Sequence, residues 1–135
     1  MRIPRHAHVA VVDGSQLRLF VNTGTPDAVE LRGVRTGPVD TSNKSAGIRD
    51  RESTKARDGG RELDELAHGA GVAEYLNAEV MAGRVERLVV VADPGTLGEM
   101  RRHYHGRLKA ALLGELDKTL TNSPVDAIER ALEAA

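Results

Sequence analysis

Residues 87 to 93, RLVVVAD, carry four consecutive large aliphatic residues between a charged start and an Asp-Pro-Gly stop. A strand without polar alternation has no side to show to water, so it belongs in the interior of a sheet covered on both faces. Residues 7 to 13, AHVAVVD, read the same way. Two such strands in one short chain require helices on both sides of the sheet, and the rest of the sequence supplies them.

Asp13-Gly14 is a hairpin signal, after which QLRLFV (16 to 21) alternates through Leu17, Leu19 and Val21. A turn containing Gly24 and Pro26 leads to a third strand over 28 to 34. Residues 62 to 83 have the helical stripe Leu63, Leu66, Ala70, Ala73, Leu76 and Val80. Gly69 and Gly71 weaken that helix by about 1 kcal/mol each relative to alanine, which close packing against the sheet would explain. Asp93 is placed to cap a helix over 95 to 104, with Pro94 at its first position and a further turn or two over 107 to 111. LLGELDK (112 to 118) reads as a fifth strand, and Ser123 as the cap of a last helix over 124 to 133. The order βββαβαβα predicts an α/β fold with a mixed five-stranded sheet flanked by helices, the arrangement of ribonuclease-H-like folds.

The 135 residues suit one domain. Three aromatic residues, Phe20, Tyr75 and Tyr104, are too few for a platform on which single-stranded bases stack. The absence of cysteine removes disulfides, thiolate metal sites and a cysteine nucleophile, and makes a cytoplasmic location the expectation. No apolar run is long enough to span a membrane. No phosphate-binding glycine loop, dinucleotide fingerprint or nucleophile elbow occurs, so no cofactor is implied.

A net charge of −1 conceals an asymmetry: residues 1 to 61 carry eleven Lys and Arg against seven Asp and Glu, and residues 62 to 135 carry eight against thirteen. Much of the basic excess lies in a segment from about 35 to 60 that has neither periodicity nor hydrophobicity and reads as a long flexible loop. Lys44, Arg49, Arg51, Lys55, Arg57 and Arg61 suit a polyanion such as RNA, and equally suit a solvated loop. Arg101 and Arg102, with Arg107 and Lys109, make a second basic cluster that would extend an RNA-facing surface or form a solvated helix face.

The stretch from Arg87 to Leu132 resembles the C-terminal half of the bacterial host-attachment protein family. The resemblance rests on the strand ending in Ala92-Asp93-Pro94, the Leu97-Gly98 helix start, and Glu115-Leu116-Asp117-Lys118-Thr119-Leu120-Thr121 followed by a Pro124 helix. It covers residues 85 to 132 well and the opening strands loosely. That family is related to the central domain of archaeal and eukaryotic class I release factors. There a flexible loop bears a Gly-Gly-Gln tip that assists hydrolysis of the peptidyl-tRNA ester, and glycine is needed because the backbone must come close to the ester. The resemblance places Gly59 and Gly60 at that tip, with Arg61 where the relatives have glutamine. It implies a binding module for the ribosome, tRNA or another RNA–protein surface; a peptidyl-tRNA hydrolase with a Gly-Gly-Arg tip, or an adhesion factor as the family label says, are the alternatives.

Two further readings follow from titratable residues. Asp13, Glu62 or Glu65, and Asp93 fall near the positions from which ribonuclease-H-like nucleases hold two metal ions, although a hairpin residue and a helix cap account for Asp13 and Asp93. His6 and His8 share a face only in extended chain, and on a helix His103 and His105 point about 160° apart, which suits surface histidines better than a metal site.

Overall fold

The computed structural model describes residues 1–41 and 59–135, and the side chains of all of these except 59–61. Five strands form one mixed sheet in the order β3-β2-β1-β4-β5. β1 (His8–Val12) pairs antiparallel with β2 (Leu17–Asn22), which pairs antiparallel with β3 (Leu31–Val34). On its other side β1 runs parallel to β4 (Leu88–Ala92), and β4 parallel to β5 (Leu112–Asp117). The helices are α1 (Gly59–Met81), α2 (Pro94–Arg101), α3 (Gly106–Ala111) and α4 (Val125–Ala134).

The two strands without alternation are the central pair, and all five residues of β4 are buried. Their alternate residues feed separate cores. Ala10, Val12, Leu88 and Val90 pack under Val72, Leu76, Leu97, Met100 and Leu108 on the face that α1, α2 and α3 cover. Val9, Val11, Val89 and Val91 pack with Ile3, Phe20, Ile128 and Leu132 on the face of α4. The chain is therefore a single α/β domain of three layers, as the sequence predicts.

Several local expectations need correction. The third strand is shorter than the alternation suggests, because residues 25–28 form a turn in which the Thr25 and Ala28 backbones bond each other, and pairing starts only at Leu31. Residue 123 does not cap α4: the N-cap position is Pro124, with no side-chain bond, and the Ser123 carbonyl instead accepts from Arg18 Nη1 at 2.7 Å. The two glycines inside α1 do admit close packing, but not against the sheet. A Cβ on Gly69 would meet Thr96 of α2 at 3.5 Å, and one on Gly71 would lie 2.7 Å from the Asp40 carbonyl and 2.9 Å from Val39. Residues 35–41 thus run against α1, where the Gly37 amide also donates to the Tyr75 hydroxyl at 3.0 Å. α1 stops at Gly83, whose φ of 79° is the left-handed conformation that glycine adopts without cost. Asp93 caps α2 as expected, its carboxylate accepting from the Thr96 amide at 3.1 Å and hydroxyl at 2.7 Å, with Pro94 at the first helical position.

Candidate functional site

The C-terminal ends of β1 and β4 and the head of α1 enclose an open cleft of about 730 Å³, lined by Asp13, Gly14, Ser15, Asp64, Glu65, Asp93 and Thr119. Crevices of this kind form where strands end and connections diverge to opposite sides of the sheet. Here β1 turns back through a tight hairpin into the neighbouring β2, while β4 leads out of the sheet into α2.

Asp13 organises the turn. Its Oδ1 accepts from the amides of Ser15 at 2.8 Å and Gln16 at 2.7 Å, and its Oδ2 accepts from the hydroxyl of Thr121, which follows β5. Partial burial pushes the Asp13 pKa up, but the bonds from Thr121, Ser15 and Gln16 outweigh it and hold the carboxyl below the usual range. The Asp13 carbonyl accepts from His68 Nδ1 at 2.9 Å, which fixes that nitrogen as the protonated one because a carbonyl cannot donate. α1 is drawn so close that a Cβ on Gly14 would lie 2.5 Å from Glu65 Cγ. A side chain there would force Glu65, the helix or the turn to shift.

Three of the four carboxylates named from the sequence as a metal alternative, Asp13, Glu65 and Asp93, therefore share one cleft; Glu62 is exposed in the first turn of α1. Both oxygens of Asp13 and both of Asp93 already accept bonds from the turn and the cap. Among the described residues no group of three or more His, Cys, Asp or Glu is arranged to hold a metal ion.

Gly59 and Gly60 are not in a loop ahead of the helix: their backbone forms the first turn of α1, the element whose following turn lines the cleft through Asp64 and Glu65. Lys44, Arg49, Arg51, Lys55 and Arg57 lie outside the described residues, as does the side chain of Arg61.

The second basic cluster is divided by its contacts. Arg101 is bound to Glu115 of β5, Nε to Oε1 at 2.9 Å, and Glu115 also accepts from the buried Tyr104 hydroxyl at 3.0 Å. Burial first, and the Glu115 charge beside it, push the Tyr104 pKa far above its ordinary value. Arg102 is exposed and makes no such pair among the described residues. The histidines are dispersed as well: His103 donates to Glu99 at 2.9 Å, His105 lies 3.8 Å from Glu74, and His6 is exposed.

Sequence reasoning missed three polar residues that build the ends of the sheet. Fully buried Asn22 accepts from the amides of Gly24 at 2.9 Å and Glu30 at 3.0 Å and donates to the Ile3 carbonyl at 2.9 Å. Asn77 of α1 donates to the His103 carbonyl at 2.8 Å and accepts from the His105 amide at 3.0 Å, which pins the corner between α2 and α3. Thr121, beyond the end of β5, donates to Asp13. A signal was present for Thr121, since it closes the Glu115-to-Thr121 stretch on which the resemblance rests; Glu115 and Thr121 hold that stretch in place.

A three-layer α/β domain, with an acidic cleft at its parallel strand ends and a Gly-Gly pair heading its longest helix, is the class that these observations define. The sequence model of bacterial archaeo-eukaryotic release factor family 12 matches residues 6–132, nearly the whole chain. The protein belongs to that family, and the release-factor relationship implied by the sequence motifs holds. No curated protein matches the chain at significance.

Proposed function

We propose that this protein is a release-factor-like binding module that associates with the ribosome, tRNA or another RNA–protein surface in the cytoplasm. The observation that carries the reading is the family match over residues 6–132, read together with a Gly-Gly pair at the head of α1 that directly follows a segment rich in lysine and arginine. The strand order 3-2-1-4-5, antiparallel then parallel, makes the mixed five-stranded sheet expected from the sequence.

Binding without turnover fits the residues better than ester hydrolysis. An amide side chain both donates and accepts, so it can orient a water molecule and an ester together, whereas the guanidinium of Arg61 has donors and no acceptor. Arginine at that place suits a phosphate. Among the described residues no helix is long and apolar enough to cross a membrane.

Ribosome co-sedimentation at low and moderate salt tests the reading. The wild-type chain is expected in the ribosomal fraction at low salt and to leave it steeply as salt rises, because each phosphate that the protein neutralises releases counterions. A variant with Arg57→Ala, Arg61→Ala, Gly59→Ala and Gly60→Ala should lose much of that association. Absence of the wild-type chain from ribosomal fractions at low salt would sink the reading.

A further inference from the structure

The loops at the two ends of the parallel strands differ in sign. Where β1, β4 and β5 end, an aspartate stands at each strand's last residue or the one after it: Asp13, Asp93 and Asp117. At the opposite end lie the turn over 4–7, the α1–β4 connection over 82–87 and the α2–α3 corner over 102–105. Those three loops contain Arg5, Arg84, Arg87 and Arg102 against a single carboxylate, Glu86. Arg107 of α3 adjoins them.

Contacts draw these loops together. The His8 amide donates to the Arg87 carbonyl at 2.9 Å, so the turn bearing Arg5 lies beside the start of β4. Asn77 ties the α2–α3 corner to α1, and Arg107 Nη1 reaches the Met81 sulfur at 3.7 Å, beside the start of the α1–β4 connection. Arg84 is paired with Glu79, but Arg5, Arg87 and Arg102 are exposed and form no ion pair with the described residues, and Arg107 has only a thioether as partner among them. His6, next to Arg5, holds a φ of 73°, a left-handed conformation that costs a non-glycine residue of order 1 kcal/mol.

We propose that this end of the sheet is a phosphate-binding face for the backbone of helical RNA, with Arg5, Arg87, Arg102 and Arg107 as its contacts. Planar guanidinium forks match phosphate oxygens, and such contacts need no apolar anchor. A protein partner would be expected to find several, whereas Met81, beside Arg107, is the only large hydrophobic side chain exposed among the described residues. Single-stranded bases would need exposed rings for stacking, whereas Phe20 and Tyr104 are buried. The face lies at the end of the parallel strands opposite the cleft beside the head of α1, so it is a second contact, distinct from the one that Arg57 and Arg61 are proposed to make.

This face deepens the binding-module reading and rests on it, and the test separates them. A fluorescein-labelled RNA stem-loop is titrated with the wild-type chain and with Arg5→Gln/Arg87→Gln/Arg107→Gln over a range of salt, folding being checked by circular dichroism. The triple variant should bind more weakly at every salt concentration, and the slope of log affinity against log salt should fall by roughly 1 for each phosphate that the variant no longer neutralises. Equal affinity and slope for the two chains would overturn the face, while ribosome co-sedimentation of both would leave the module reading standing. Displacement of the RNA by poly-glutamate at equal charge concentration would assign the face to acidic protein instead and equally overturn it.

Discussion

The two ends of β1 solve one problem with opposite chemistry. At each end a tight connection leaves backbone amides without partners, and at each a single side chain satisfies them. At the C-terminal end Asp13 accepts from Ser15, Gln16 and Thr121 and donates nothing. At the other, Asn22 of the neighbouring strand accepts from Gly24 and Glu30 and also donates to the Ile3 carbonyl. An anion suffices where only donors converge; a neutral amide is needed where donors and acceptors meet in a site closed to water. Carboxylates surround Asp13, and guanidinium groups lie in the loops that precede β1, β4 and β5, although the β2–β3 turn beyond Asn22 carries Asp27, paired with Arg2, and Glu30. The lesson is that charge polarity here is built by the loops and not by the strands they join.

Exchanging the two chemistries should do most damage at the closed end. Asn22→Asp keeps the shape but removes the donor to Ile3 and places a carboxylate at a fully buried position, and it is expected to cost about 3 kcal/mol. Urea denaturation at neutral pH measures it. A loss below about 1 kcal/mol would mean that the donor half of Asn22 is dispensable and that the two ends do not differ in this way.

The next effect concerns how closely α1 approaches the acidic end. Gly14→Ala drives a Cβ to 2.5 Å from Glu65 Cγ and 2.7 Å from Glu65 Cβ, so the helix or the turn must shift, at about 2 kcal/mol. Pairing it with Glu65→Gly, which removes all three obstructing atoms, Cβ, Cγ and Oε2, sharpens the assignment. The double variant should be more stable than the sum of the single losses predicts, and strict additivity would show that Glu65 is not what forbids the side chain.

These ends were unequally legible in the sequence. The central strands announce themselves because burial on both faces leaves uninterrupted aliphatic runs, and Asp13 and Asp93 because a turn and a cap are local events with local signatures. The basic end was legible only in part: Arg102 and Arg107 belong to a cluster visible in the sequence, but Arg5 and Arg87 lie far from it in the chain and join it only through the strand order. Arg101 and Arg102 look alike in the chain; Glu115, which occupies the first and not the second, arrives from a different strand. The start of α1 was misplaced by three residues for the opposite reason, because local propensity argues against a helix beginning on two glycines.

The smallest effect separates the ends by pH. His8 opens β1 at the basic end with Nδ1 buried and unpartnered among the described residues; burial lowers its pKa from the ordinary 6.5, and the Glu79 charge offsets only part of this. As pH falls below 6.5 the unfolded chain takes up this proton before the folded one does, so stability present above 6.5 is lost as the pH drops through the folded pKa. Asp13, at the other end of the strand, has a folded pKa below its ordinary 3.8, and its contribution, complete above 3.8, is lost as the pH falls through the folded value. Stability measured against pH should therefore decline in two stages. His8→Gln should flatten the upper stage, by less than about 1 kcal/mol because the group is only partly buried. Thr121→Val, which removes a donor from the Asp13 carboxylate, should cost about 1 kcal/mol at neutral pH and shrink the lower stage alone. If either substitution altered both stages, the two ends would be coupled through β1, and the sheet would transmit charge changes between the cleft and the arginine face.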